Sequence, residues 1–151
     1  MKRTILVIGL AILALAILKA PATAQGVAGT YLVEYPARIQ NTNGEENVQI
    51  GRARLTLQVK GDSVVGTWLV LDRPDAQPRE VRGTLQGGTA KFSLQTEGRI
   101  NQNGEERTIK MTTEFTATVS GDKVEGTMQL RSGEGMTQPE RKFSGVREKA
   151  E

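Results

Sequence analysis

The chain has 151 residues, of which 25% are charged and 37% hydrophobic, and it contains no cysteine and no histidine. It therefore forms no disulfide, holds no zinc, haem or iron–sulfur cluster through Cys or His, and performs no Ser-His or Cys-His catalysis. Its formal net charge of +3 arises from the N-terminal segment.

Residues 1–24 have the pattern of a secretory signal peptide. A basic start is followed by the apolar stretch Thr4–Leu18 and by the small-residue cleavage pattern Ala22-Thr23-Ala24. The apolar stretch is shorter than the about 20 residues of a transmembrane helix. We therefore expect cleavage after Ala24 and a periplasmic or secreted protein, with an uncleaved anchor as the alternative.

Cleavage would change the electrostatics of the chain. It removes Lys2, Arg3 and Lys19, so that 17 basic residues remain against 17 acidic ones. A nucleic-acid partner then has no electrostatic support. Residues 25–151 are enough for one domain with a single core, whose stability must come from packing alone because no disulfide is available.

The rest of the chain is predicted to be all-β. Residues 51–60 alternate between apolar positions such as Leu55 and Leu57 and polar positions such as Arg54, and residues 108–119 alternate in the same way. This period of two indicates half-buried antiparallel strands. Eight strands are predicted, at approximately 29–40, 48–60, 63–72, 79–86, 89–100, 107–120, 123–132 and 140–148.

A unit of about 60 residues occurs twice. Aligning 41–68 with 101–128 gives 12 identities in 28 positions without a gap, including the Gly-Asp of both predicted hairpin turns. The Asn-x-Asn-Gly-Glu-Glu segments at 41–46 and 101–106 also match; we read them as hairpin turns rather than calcium loops. The internal repeats are predicted to span about 29–86 and 89–148.

Eight meandering strands with one apolar face are predicted to close into an antiparallel up-and-down barrel, since closure removes the sheet edges. A two-sheet β-sandwich is the alternative. The charged outer faces exclude an outer-membrane barrel, whose outside is apolar. Gly66, Gly83, Gly126 and Gly145 share the inward parity, and are expected to allow sharp coiling and to make room for Trp68.

Alternation of direction along the chain puts the short turns at one end of this barrel. The longer connections, 41–47, 72–78, 101–106 and 132–139, meet at the other end, which we call the mouth. A barrel of eight strands is either filled by side chains or holds one small ligand. The sequence leaves both possibilities open.

Two segments carry a family resemblance. Gly29-Thr-Tyr31 and Gly61-Asp-Ser-Val-Val-Gly-Thr-Trp68 resemble segments of lipocalin- and avidin-type barrels, and the chain is similar to small exported bacterial domains with repeated Gly-Asp-x-Val-x-Gly-Thr hairpins. The lipocalin resemblance implies a small hydrophobic ligand. It also implies that Tyr31 and Arg147 close the bottom of the barrel. Tyr31 stands where lipocalins have a tryptophan, and avidin's polar biotin contacts have no counterpart.

Several inward-facing side chains are candidates for a ligand site near the mouth. Aromatic and methionine side chains make adaptable apolar walls, and arginines there would grip a carboxylate or phosphate headgroup. The alternatives are plain core packing and rim arginines that reach solvent. The candidate ligand-binding residues are Tyr35, Trp68, Met111, Met128, Arg79 and Arg141.

An apolar outer face is a candidate partner surface. Val65, Leu69 and Leu71 alternate outward on the third predicted strand, whereas the matching positions of the second repeat are polar. Exposed apolar patches mark interaction sites, so a homodimer or an envelope protein is the expected partner, unless the 73–78 loop covers the patch.

No catalytic pair, metal site or cofactor site is predicted. Among the 17 acidic residues only Asp72 has inward parity, whereas acid–base catalysis needs a buried, perturbed carboxyl. The sequence therefore favours a non-catalytic binding protein for a small apolar or amphipathic molecule. The alternative is a filled barrel that acts as a protein–protein interaction or inhibitor-like module.

Overall fold

The computed structural model describes residues 26–40 and 46–149. The predicted signal peptide and residues 41–45 of the first Asn-Gly loop lie outside the described residues. Within the described ranges, no helix is long and apolar enough to cross a membrane.

The described residues form eight β-strands that follow one another along the chain. Their bounds are β1 (Gly29–Gln40), β2 (Glu46–Lys60), β3 (Ser63–Val70), β4 (Arg79–Gln86), β5 (Thr89–Gln102), β6 (Glu105–Ser120), β7 (Lys123–Ser132) and β8 (Arg141–Arg147). Predicted and observed bounds differ by at most two residues. Strands β5 and β6 extend further than expected because Asn103 and Gly104, both with positive φ, form a two-residue turn.

The strands form one closed sheet in the order β1 to β8. All neighbours are antiparallel, and β1 closes the barrel by pairing with β8 from Tyr31↔Arg147 to Glu34↔Ser144. The prediction of an eight-stranded up-and-down barrel is confirmed. The two-sheet sandwich was the wrong alternative, because a single sheet returns to its own first strand.

Aromatic side chains fill the middle of the barrel. Phe115 stacks on Phe92 with ring centroids 5.0 Å apart, lies 5.1 Å from Trp68, and meets Phe143 at 6.0 Å. All four are buried. Aromatic pairs at these separations contribute beyond the area they bury, so the core of this barrel is a contiguous stack of rings.

The four inward glycines lie where strands approach too closely for a side chain. A Cβ at Gly66 would overlap the carbonyl oxygen of Thr56, and one at Gly83 would overlap that of Lys91. Gly126 and Gly145 meet neighbouring carbonyls in the same way, and Gly126 also faces the Phe143 ring. These glycines therefore permit the tight coiling that closes a small barrel.

The short turns lie together at one end of the barrel, which we call the closed end. They are centred on Gly61, Gly87-Gly88 and Gly121, all with positive φ. At the mouth, two hairpins rise above the closed wall, because β3 pairs with β2 only as far as Ala53↔Val70 and β4 with β5 only as far as Val81↔Leu94. We call them the β1–β2 arm (35–40 and 46–52) and the β5–β6 arm (95–102 and 105–110).

Candidate functional site

At the closed end, Arg147 lies against Tyr31. Its guanidinium carbon is 4.8 Å from the ring centroid, a cation–π distance. Arg147 Nη2 donates to the carbonyl of Gly26 at 2.7 Å, and Nη1 donates to that of Ala28 at 2.5 Å. The Tyr31 hydroxyl donates to the carbonyl of Val27 at 2.8 Å. The two residues therefore fasten the segment before β1 across this end.

At the mouth, Tyr35 and Trp68 form an aromatic floor. Their ring centroids are 5.3 Å apart in an edge-to-face arrangement. Tyr35 pairs across the strands with Gly51, where a Cβ would come within 2.8 Å of the Tyr35 ring. The glycine therefore lets the ring lie flat over β2 and reach Trp68, which is only 4% exposed.

Arg141 of β8 lies near Tyr35, because its charge acts on the Tyr35 hydroxyl. Its Nη1 donates to the Pro36 carbonyl at 2.6 Å, bridging the gap that opens where β1 and β8 stop pairing. Its Nε is buried and has no partner among the described residues. A buried guanidinium donor without a partner is costly, so Arg141 is a polar group with unused hydrogen-bonding capacity beside an aromatic surface.

Three charged side chains at the mouth act on the Tyr35 hydroxyl. Burial raises the pKa of Tyr35, as does the charge of Asp72, while Arg73 and Arg141 oppose that shift. Burial lowers the pKa of the Arg141 guanidinium, and the charge of Arg38 lowers it further. The guanidinium remains a cation at neutral pH, and these two arginines repel each other.

A groove of about 690 Å³ lies between the β1–β2 arm and the connection after β3. Its lining residues are Tyr35, Ala37, Arg38, Gln49, Ile50, Gly51, Val70, Asp72 and Arg73. A smaller cavity of about 170 Å³ shares Val70 and Arg73 with it and reaches Trp68 and Arg79. Together they form a mouth site with apolar walls and arginines at the rim, large enough for a small molecule.

The six predicted ligand residues do not all meet. Tyr35, Trp68 and Arg141 gather at the mouth, whereas Met128 is buried in the core. Met111 lines a separate groove of about 640 Å³ beside β5 and β6. Arg79 is exposed and reaches both that groove and the small cavity next to Trp68. The matched positions Arg79 and Arg141 therefore have different surroundings.

The predicted partner face on β3 is half-buried. Val65, Leu69 and Leu71 all have intermediate exposure. The large hydrophobic side chains that stand most exposed among the described residues are Val48, Ile50, Met136 and Val146, at 64%, 67%, 59% and 53%. Two of these lie on the β1–β2 arm, which the sequence reading did not single out.

The acidic residues in the described ranges form no metal-ligating cluster. Asp72 lies just past the end of β3 and accepts hydrogen bonds from the backbone and side-chain nitrogens of Arg52. The backbone bond is the main cause that lowers the pKa of Asp72 below its ordinary value. This carboxylate therefore holds the end of β3 against β2.

Arg38, Arg73 and Gly51 are site residues that sequence reasoning missed. Gly51 could have been found from the sequence, because pairing β1 with β2 puts it opposite Tyr35. Arg73 lies in a connection without periodicity, so no sequence pattern gives its direction. Arg38 is on an outward-facing position of β1 and reaches the site only because the groove lies outside the closed wall.

A scan against protein-family models gives no match, and a search of curated proteins gives none either. Aromatic and aliphatic walls take an apolar group, and guanidinium groups bind carboxylates or phosphates with charge-assisted hydrogen bonds.

Proposed function

We propose that this chain is an exported, non-catalytic binding protein that takes a small amphipathic anion at the mouth. Its apolar part would lie on Tyr35, Trp68 and Val70, and its headgroup would face Arg38 and Arg73, which line the groove. The observation that carries this proposal is the groove itself, which brings the Tyr35 ring and Val70 together with Arg38 and Arg73. An anion bound there would relieve the repulsion between Arg38 and Arg141.

Two further features support the proposal. The eight-stranded barrel is the architecture in which lipocalin-type proteins hold ligands, and the contact between Tyr31 and Arg147 occupies the place that the lipocalin resemblance assigns to barrel closure. The proposed place of action is the periplasm or the medium, because residues 1–24 have the signal-peptide pattern. Mass spectrometry of the protein recovered from its host should show a chain that starts at Gln25, and an intact Met1 would contradict export by cleavage.

A second candidate is a filled barrel that acts on other proteins. The stacked rings of Phe92, Phe115 and Trp68 favour it, because they occupy the space where many barrels hold their ligand. The contact surface would then be either the β1–β2 arm or the outer face formed by Val65, Leu69 and Leu71. The two functions differ in a simple way: only the first predicts that a small molecule changes the surroundings of Trp68.

Trp68 is the only tryptophan of the chain, so the whole tryptophan fluorescence reports on the mouth. We expect dodecanoate to change this emission saturably, and dodecanol, which has the same tail without the charge, to bind more weakly. Arg73→Gln should weaken dodecanoate binding by about tenfold, since it removes one charge-assisted contact.

The control variant is Arg82→Gln. Arg82 is an exposed arginine on the outer face of β4 that pairs with Glu80 at 2.7 Å, away from the mouth site, so this variant should bind dodecanoate as the wild type does. An emission spectrum that stays constant through the dodecanoate titration would contradict the ligand-binding proposal and favour the filled barrel. Equal binding of the acid and the alcohol would remove the role given to the arginines.

A further inference from the structure

Three neighbouring spaces adjoin one another across the mouth. The groove of about 690 Å³ beside the β1–β2 arm shares Val70 and Arg73 with the small cavity of about 170 Å³. That cavity lies between β3 and the 71–78 connection, and it shares Arg79 with the groove of about 640 Å³ beside the β5–β6 arm. Because these spaces border on the same side chains, the mouth site continues past Trp68 from one arm to the other.

The small cavity combines apolar side chains with two arginines. Trp68 and Val70 of β3 and Ala76 of the connection supply the apolar surface. Arg73 also borders the groove of the β1–β2 arm, and Arg79 also borders the groove of the β5–β6 arm. A molecule that lies along the three spaces therefore meets one guanidinium group on each side of an apolar passage.

The arginines at the mouth differ from the other described arginines in their partners. Arginines elsewhere pair with carboxylates, as Arg131 does with Glu114 at 2.9 Å. Within the described ranges, the arginines that form no ion pair are Arg73, Arg79 and Arg141. Asp75 also lines the small cavity, but it pairs with neither of the two arginines there. Since a guanidinium is always charged and has five donors, these groups are available to an anionic ligand.

The carboxylates closest to Arg79 along the sheet face other cations. Glu80, the next residue of β4, pairs with Arg82 at 2.7 Å. Glu97 lines the groove of the β5–β6 arm, where it lies directly opposite Lys110 in the strand pairing. Opposite charges at such positions attract each other. Arg79 is therefore the cation on this side of the mouth whose charge the chain itself does not balance.

We propose that the mouth site takes an elongated molecule with an acidic group at each end and an apolar segment between them. One acid faces Arg73, as in the proposed function, on which this inference rests. The apolar segment lies along Trp68 and Val70, and the second acid is bound by Arg79. Carboxylates and phosphates both match the planar guanidinium, so the ligand class is that of long dicarboxylates and related dianions.

A comparison of dodecanoate with dodecanedioate tests the second acid site. The two acids have the same chain length, but the dioate carries a second carboxylate in place of the terminal methyl group. A purely apolar passage would bind the dioate more weakly, because a charge is costly to desolvate. We expect the dioate to bind the wild type about tenfold more tightly, since it gains a charge-assisted contact with Arg79. The emission of Trp68 measures both affinities.

Two arginine variants locate this preference. Arg79→Gln should abolish the preference for the dioate over dodecanoate. Arg131→Gln is the control, because Arg131 is exposed on the outer face of β7 and lines none of the three spaces, so this variant should keep the preference. Thermal unfolding shows that both variants are folded.

A series of diacids of increasing length tests the spacing of the two arginines. One chain length fits both guanidinium groups best, so the affinity of the diacids should pass through a maximum, whereas that of the monoacids should rise with each added methylene. If dodecanoate binds but the dioate preference is absent, persists in Arg79→Gln or has no length maximum, this inference is overturned and the proposed function stands. If neither acid changes the emission of Trp68, both are overturned.

Discussion

Arg147 combines several interactions in one side chain. Its guanidinium donates to two carbonyls of the segment before β1, lies over the Tyr31 ring, and has Asp122 of the β6–β7 turn at 3.7 Å. Gly29 makes room for it, because a Cβ there would collide with Arg147 Nη1, and the φ of +152° also favours glycine. The planar guanidinium group of arginine, with its five N–H donors, suits this arrangement better than the ammonium group of lysine would.

Replacing Arg147 should therefore lower stability without affecting the mouth. We expect Arg147→Ala to reduce the free energy of unfolding by about 2 kcal/mol, since hydrogen bonds from a charged donor are lost. Arg147→Lys should lose less of this free energy than Arg147→Ala does, but should remain less stable than the wild type. Urea denaturation measures the stability of both variants. In a dodecanoate titration, both variants should bind with the wild-type affinity. An unchanged midpoint for Arg147→Ala would contradict the closing role.

Tyr31 should make the protein sensitive to alkaline pH. Burial raises the pKa of Tyr31 above its ordinary value of 10.0, with Arg147 opposing the shift. The stability that this creates is fully present below the ordinary pKa and is lost as the pH rises through the folded-state value. Unfolding midpoints measured across alkaline pH should fall less steeply for Tyr31→Phe than for the wild type. Equal slopes would show that the phenol does not contribute.

At the scale of the strands, the close approach of neighbours limits what the barrel tolerates. A Cβ at Gly83 would overlap backbone atoms of Lys91 and Phe92, which cannot move aside as a side-chain tip can. The strand would have to shift, and the adjacent aromatic core with it. Small residues in β3, β4, β7 and β8 are thus part of the closure itself.

Gly83→Ala should destabilise the barrel by about 2 kcal/mol, in the range for overpacked cores. Gly133→Ala is the matched control, because its nearest contact, the Lys110 carbonyl, would be an ordinary 3.5 Å away. Thermal unfolding of the two variants makes the comparison. Similar melting temperatures for both would mean that β4 can move away from β5 without cost.

For the whole molecule, closure gives every strand two neighbours along its lower part. Hydrogen exchange should show protected amides in β4 and β8, the strands whose pairing completes the ring. In the β5–β6 arm, protection should alternate, since Glu97 and Arg99 face the free side and Gly98 faces β6. Uniform fast exchange across β8 would contradict the closed barrel.

Much of this architecture was predictable from alternation alone. Leu55 and Leu57 identified the inward face of β2, and the paired glycines indicated where strands coil. The mouth was harder to predict from the sequence. Arg79 and Arg141 occupy matching positions of the two repeats, which suggested that they have equivalent roles. Arg141 turns inward where β1 leaves β8, whereas Arg79 lies beside the β5–β6 arm. Such differences come from where strands stop pairing, which side-chain periodicity does not encode.

The proline on the free edge of β1 also bears on how far these molecules could assemble. An arm with two open edges could join head to tail and build a filament of unlimited length. Pro36 denies β1 the donor that each added strand would need, so the β1 side of the arm cannot extend a sheet in this way. One missing N–H thus protects the hairpin against edge-to-edge polymerisation along that side.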